Sequence, residues 1–434
     1  ENERLRRQLN NNSKNSSKPP STDQKPSKAA NTYNSRKKSE RKKGAQTGHA
    51  GKTLSKEDAQ ALINTGKAEH RIQGIGTKSD NYRTRYIVDM ETRLTVTELR
   101  FYYNKYVKSS IHPRLSSPVT YGPGIRALCT LLYSEGVVSN DRIKEIINSM
   151  SDGLLSLSEG TVYNLCNSFV PASAAKYESI RANLSAAPVV ATDATVTSID
   201  GVQKYIRNFS TDTDCLYELQ TAKSIACMKE SAILPCYDGI FINDHETAIY
   251  HFGSQHGECN AHLFRYLSKN TEESGNSWSA KLKSLLAAAN KKRRAAMEAG
   301  QASLPETYVV DVEARYDAIL ALGEEQNRNT KGYTARKEEG ALLRRLRNYK
   351  ENHLLFLRDF RVPFTNNMSE RDLRKCKNRQ KMSGGFRNAD GCKMYCKIIS
   401  VIETWKREGK NLLQEIKNTF ENALAVPYAT PVYL

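Results

Sequence analysis

The chain has 434 residues, 38% of them hydrophobic, and a formal net charge of +19. That length allows two to four domains with at least one real core, and no run of about 18 apolar residues argues for a membrane-crossing helix. Nine cysteines without a Cys-x-x-Cys pair exclude the pattern of a secreted disulfide framework and point to a reducing compartment.

The charge is concentrated. Residues 1–43 hold 13 Lys/Arg against 4 Asp/Glu, and residues 371–410 hold 12 against 4. These windows of +9 and +8 leave only +2 for the rest of the chain. Two such blocks suggest contact sites for a polyanion. No secretory signal is visible, and an opening Glu1 rather than Met leads us to expect further residues before it.

In residues 1–47, Leu5 and Leu9 stand at i,i+4 spacing, like the tail of an amphipathic helix or a coiled-coil remnant. Residues 10–47 are rich in Asn, Ser, Lys and Pro and cannot bury enough apolar surface to order themselves. They read either as a plain linker or as a basic arm that folds onto DNA through Lys37, Lys38, Arg41, Lys42 and Lys43. Residues 48–120 read as a small β module, because residues 86–103 hold an alternating, β-branched and aromatic run. Residues 121–185 predict three helices: Ile125 to Ser134, one capped by Ser139 with Ile143, Ile146 and Ile147 as its stripe, and one opened by Ser158-Glu159-Gly160. This pattern resembles a helix-turn-helix module, and equally any small helical bundle.

From Pro188 the chain turns to strands. The first runs to Ile199 with Asp193 inside it, Asp200-Gly201 is a two-residue hairpin turn, and Val202 to Ser210 returns. Cys215 to Gln220 is a third strand and Lys229 to Leu234 a short helix. Gly239 to Asp244 is a fourth strand, and His245 to Phe252 is helical. Glu258-Cys259 closes a fifth strand, and Asn260 opens a helix. This α/β order predicts a ribonuclease-H-like mixed sheet over 186–270. Asp193 would lie on its first strand and Asp244 at the end of a neighbouring one. Asp is depleted in strands and costly to bury, which makes Asp193 a candidate functional residue rather than an inert edge carboxylate. Residues 271–360 read as a helical insertion: Trp278 to Ala299, Val312 to Glu325, and Ala335 to Phe360.

Pro363 through Arg374 reads as a turn feeding a helix, and residues 361–425 as the last part of the core, followed by a tail at 426–434. Glu370 falls in the first turn, where the helix dipole favours an anion, and Arg371, Arg374, Lys375, Lys377, Arg379 and Lys381 follow. Glu370 is either a capping carboxylate on a solvated face or a metal ligand beside a phosphate-binding surface. With Asp193 and Asp244 it makes three carboxylates, a set suited to two hard divalent cations and to phosphoryl transfer. Cys392 and Cys396, four apart, read as core packing.

Several stretches together resemble the DDE transposases of the insertion-sequence-66 family. They are Asn15-Ser16-Ser17-Lys18-Pro19-Pro20-Ser21, Gly48-His49-Ala50-Gly51, Tyr121-Gly122-Pro123-Gly124, Leu157-Ser158-Glu159-Gly160-Thr161, Asn243-Asp244, Cys259-Asn260-Ala261-His262, and Arg361 through Leu373. The resemblance implies Asp193, Asp244 and Glu370 as the catalytic and metal-binding acids, with two Mg²⁺ or Mn²⁺ ions. It implies double-stranded DNA as partner, both element ends and target, and strand cleavage and joining as the reaction. A homo-oligomer on DNA, element-encoded accessory proteins and a bacterial cytoplasmic, nucleoid-associated location follow as expectations, with no membrane partner.

Two departures stand out. No cysteine precedes Cys129, so the zinc module usual before the Tyr-Gly-Pro-Gly station lacks its ligands, and no zinc is expected. Ala194-Thr195 follows the first acid where the family carries Glu-Thr. Cys259 and His262 are accessory candidates: His262 touches phosphate, orders the site, or is structural, and two ligands alone are weak grounds for zinc. Rival readings are another ribonuclease-H-like nuclease or resolvase, and a non-catalytic transposase-derived DNA-binding protein.

Overall fold

The computed structural model describes residues 55–72, 84, 86–88, 93–98, 117–136 and 138–424. Two units divide the chain, one of them residues 25–99. Its described part contains helix α1 (Lys56–Asn64), opened by a capping box. Ser55 Oγ accepts from the Asp58 amide at 3.1 Å, and Asp58 Oδ2 accepts from the Ser55 amide at 2.9 Å. The small β module expected at 48–120 finds no strand among its described residues. Ile87 and Val96 of the 86–103 run are 94% and 95% exposed. Its remaining residues lie outside the described ones.

The second unit holds a five-stranded sheet in the order β3-β2-β1-β4-β5, consistent with a ribonuclease-H-like core. The strands are β1 (Val189–Ile199), β2 (Val202–Ser210), β3 (Cys215–Gln220), β4 (Ile240–Asn243) and β5 (Gln255–Glu258). β1 and β2 form the expected hairpin, with Asp200 and Gly201 both at positive φ, 49° and 74°, as a primed turn requires. β1, β4 and β5 run parallel. Two short stretches differ from expectation: helix forms at Ile225–Met228 rather than 229–234, and Thr247–His251 is a 3₁₀ turn.

Strand alternation sends side chains to two cores. Val190 and Phe241 join one cluster, while Ala191, Ile240 and Ile242 join the other. The first cluster lies against α2 (Pro123–Ser134), α3 (Asn140–Met150), α4 (Glu159–Asn167) and α5 (Ala174–Ala186). Ser139 and Ser158 cap α3 and α4 as expected. Ala127, Tyr133, Ile147 and Leu165 of these helices share their core with β2 and β3.

The second cluster is built by α6 (Asn260–Ser274) and the insertion: α7 (Ser277–Glu298), α8 (Glu306–Arg328), α9 (Tyr333–Asn348) and α10 (Lys350–Arg358). The helix expected over 335–360 is broken at Tyr349. Glu339 stitches the insertion, accepting from Trp278 Nε1 at 2.6 Å and Asn276 Nδ2 at 2.8 Å. The chain then forms α11 (Asn367–Ser383), α12 (Ala389–Arg407) and α13 (Leu412–Leu424). Helix α12 covers edge strand β3, where the Cys215 amide donates to Thr404 Oγ1 and the Tyr217 amide to Ser400 Oγ. Cys392 and Cys396 are buried in this core. No helix among the described residues is long and apolar enough to cross a membrane.

Candidate active site

The parallel strands bring the first two acids together. Ala191 pairs with Ile242 and Asn243 with Glu258. Extending these registers past the strand ends sets Asp193 opposite Asp244, and Asp244 opposite Cys259. The carboxyl ends of parallel strands are where open α/β sheets bind ligands. Asp193 is 9% exposed, and burial together with the Asp244 carboxylate pushes it up to about 7. Its Oδ1 accepts from the Ala194 amide at 2.6 Å, and its own amide donates to Asn208 Oδ1 at 3.2 Å.

Asp244 sits at a sharp corner. Asn243 Oδ1 accepts from the amides of His245 at 2.8 Å and Glu246 at 3.1 Å, a side-chain turn that ends the strand. His245 is left-handed, with φ 73°, a strained conformation for a residue with a Cβ. It is held there by Glu258, whose Oε1 lies 2.7 Å from His245 Nδ1. Glu258 also accepts from Arg345 at 2.6 Å and from the Tyr250 hydroxyl. Burial would raise the Glu258 carboxyl, but His245, His353 and Arg345 hold it well below the usual range.

Glu370 arrives from α11. The turn before it is fastened at three points: Asn366 Nδ2 donates to the Thr192 carbonyl at 2.9 Å, the Asn366 amide to Cys259 Sγ at 3.1 Å, and the Asn260 amide to the Phe364 carbonyl at 3.1 Å. Ser369 Oγ donates to Asn208 Oδ1 at 2.6 Å, so Asn208 touches the backbone of the first acid and the residue before the third. Asn366 makes no side-chain cap on α11, and buried Glu370 Oε1 has no hydrogen-bond partner. A capping role for that oxygen therefore finds no support.

His262 spans the acids. Its Nδ1 lies 3.4 Å from Glu370 Oε1 and its Nε2 lies 4.0 Å from Asp244 Oδ2, and Arg265 stands 3.8 Å from Glu370 Oε1. Burial and the Arg265 guanidinium hold His262 below the usual imidazole value. The donors fit a hard divalent cation: two carboxylates close enough to repel, and a third with an oxygen left without a hydrogen bond. Such a group is stabilised by an oxygen-seeking ion.

The basic residues of α11 divide. Arg371, Arg374, Lys377 and Lys381 are exposed, and Lys377 is near enough to Asp193 to draw its carboxyl down. Lys375 and Arg379 turn inward, against their reading as DNA contacts. Lys375 pairs with Glu135 and Glu403, and Arg379 lies over the rings of Tyr133, Tyr395 and Phe386. The sequence offered no sign of this, because their partners lie in and just after α2, on α12, and between α11 and α12. Asp372, two residues after Glu370, also turns away from the site, accepting from Ser210 Oγ at 2.7 Å and Arg407 at 2.6 Å. Lys37, Lys38, Arg41, Lys42 and Lys43 lie outside the described residues. Sequence reasoning missed Asn208, Asn366 and Lys223, which also draws Asp193 down.

The expectation of no zinc rested on the missing cysteines before Cys129. It does not extend to the core, where donor atoms of Cys259, His262 and Glu370 all lie within 4.8 Å of one another.

No curated protein matches the chain. Residues 2–55 match a family of unknown function (DUF6444). Residues 118–394, the whole span from the first helix of the core to beyond Glu370, match the Transposase IS66 family. With that match covering well over half its length, the chain belongs to the IS66 family of transposases.

Proposed function

We propose that this transposase cuts and rejoins DNA strands at the ends of an insertion sequence, with Asp193, Asp244 and Glu370 as its catalytic acids. The observation that carries the reading is the shared register of β1 and β4, with His262 within ion-pair distance of both Asp244 and Glu370. The three carboxylates would hold two Mg²⁺ or Mn²⁺ ions. Bound there, such ions would supply activation of a water or 3′-hydroxyl nucleophile and charge stabilisation at the leaving oxygen.

The chain's own residues do the rest. Asn208, Asn366 and Ser369 fix the spacing of the acids, so little reorganisation is needed when DNA arrives. Arg371, Arg374, Lys377 and Lys381 lie along the exposed side of the helix that opens with Glu370, where they bind the phosphates flanking the cut. The arm with Lys37, Lys38, Arg41, Lys42 and Lys43 adds affinity away from the site. Phosphate contacts of this kind fix position without reading sequence.

The test is cleavage of the element's own ends with Mg²⁺, beside an Asp193→Asn variant. The parent should nick and then join the ends to target DNA, and the variant should bind but not cut. Cleavage without joining on paired ends would make the protein a nuclease, and full activity in the variant would remove Asp193 from the site.

A further inference from the structure

We infer that Cys259, His262 and Glu370 form a second, thiophilic cation site of the Zn²⁺ class, which captures the third acid and so acts as a brake on the reaction. The inference rests on the reading of Glu370 as a ligand of the catalytic ions.

Cys259 caps the start of α6, and His262 lies one turn into it, so their side chains share a side of the helix. Register brings Cys259 beside Asp244, and the fastened turn before α11 delivers Glu370 to the same place. Cys259 is 1% and His262 7% exposed. His262 Nδ1 and Glu370 Oε1 stand 3.4 Å apart, both buried and both without a hydrogen bond. Two buried polar atoms that face each other without a hydrogen bond are each costly, and a cation between them with the nearby sulfur removes that cost.

The donor set selects the ion. Mg²⁺ seeks oxygen, whereas Zn²⁺ takes sulfur, nitrogen and oxygen together. Tetrahedral zinc sets its ligands roughly 3.3–3.8 Å apart. Donors now within 4.8 Å therefore close on it with side-chain adjustments of about 1 Å. Three protein ligands leave a fourth position for water. The surroundings also suit it: the Asn366 amide donates to Cys259 Sγ, and Asp244 lies on the far side of the imidazole at 4.0 Å, where an outer carboxylate orients a metal-bound histidine. Among the described residues, Arg265 is the Lys or Arg within 4.0 Å of Glu370 Oε1, and its side chain is 26% exposed.

The probe is Co²⁺ added to the metal-free full-length protein. One equivalent should produce the near-ultraviolet thiolate-to-cobalt absorption of a tetrahedral site, and Zn²⁺ should bleach it. Cys259→Ser should abolish the band, and His262→Ala should weaken binding at least about tenfold. No band in the parent, or an unchanged band in Cys259→Ser, overturns the site. Two variants guard against a failure to fold. In the second arm, zinc should slow Mg²⁺-dependent cleavage by the parent. Cys259→Ser, measured against its own zinc-free rate, should need at least about tenfold more zinc for the same inhibition. Equal sensitivity overturns the brake. The cobalt measurement needs neither DNA nor cleavage, so a protein that binds cobalt but never cuts sinks only the transposition reading.

Discussion

Asn366 reaches across to the strand of the first acid: its side-chain amide donates to the Thr192 main-chain carbonyl at 2.9 Å. Residues far apart in sequence are thereby set four positions before Glu370 and one before Asp193. Asn366 is 1% exposed. Asn366→Ala should leave the Thr192 carbonyl short of a donor and cost about 1–3 kcal/mol, read as a lower urea midpoint. The loss in cleavage rate should exceed the loss in DNA affinity, because the change moves an acid and touches no phosphate-binding side chain. Equal losses in both would make the tie merely structural.

Glu370→Gln separates cap from ligand. Glu370 Oε1 makes no hydrogen bond and α11 has no side-chain cap. The substitution should therefore change stability by no more than about 1 kcal/mol, while cleavage is lost and DNA binding survives. Gel-shift and cleavage assays on one preparation decide it, and near-parental cutting by the folded variant would remove Glu370 from catalysis.

Asp193 gives stability a pH signature. Burial and Asp244 raise its carboxyl from an ordinary 3.8 to about 7, so the folded protein holds this proton more tightly than the unfolded chain does. Its stabilising effect is complete below 3.8 and is lost as pH rises through about 7. Without divalent ions, that contribution should fall by up to a few kcal/mol across this window. Mg²⁺ should restore stability at the alkaline end, where the carboxylate is free to bind it. Thermal melts with and without Mg²⁺, compared with Asp193→Asn, check this: the variant should lack both the slope and most of the Mg²⁺ effect.

The outward and inward cations of α11 should behave differently. Alanine at Arg371, Arg374 and Lys377 together should flatten the salt dependence of DNA binding, by about 0.9 in log–log slope for each phosphate that is no longer neutralised. Fold stability should stay nearly unchanged. Lys375→Ala should do the reverse, removing the more buried of the two lysines that bridge Glu135 and Glu403 and lowering the melting temperature while DNA binding persists.

Arg345 joins the insertion to the end of β5, where the Glu258 side chain is fully buried. Arg345→Ala takes the guanidinium from a buried carboxylate and leaves it to His245 and Tyr250, and should cost up to about 3–5 kcal/mol. Adding Glu258→Gln should recover part of that loss. A double variant no more stable than the single one would mean that the charge is not what matters.

Much of this was legible in the sequence wherever local chemistry decides. Asp200-Gly201 specified the hairpin, and Ser139 and Ser158 specified helix starts. Asp193 stood out because a carboxylate inside a strand is costly. What sequence did not reveal depends on partners brought in from afar. Lys375 and Arg379 share a helix with Arg371 and Lys377, and only the positions of Glu135, Glu403 and three aromatic rings separate their fates. Asp372 lies in the most family-like stretch, yet it serves Arg407. The 86–103 run has strand-like periodicity, but its described residues form no strand. The period of 335–360 continues through Tyr349, where the helix breaks.

The third acid lies 126 residues after the second, and this has a consequence for synthesis. Domains form from the N-terminal end as the chain leaves the ribosome. A nascent chain that has completed β5 carries Asp193 and Asp244 but not Glu370, and its outer strand β3 still lacks the α12 cover. On the proposed reading, the power to cut DNA therefore comes only once α11 has followed the whole insertion out of the ribosome.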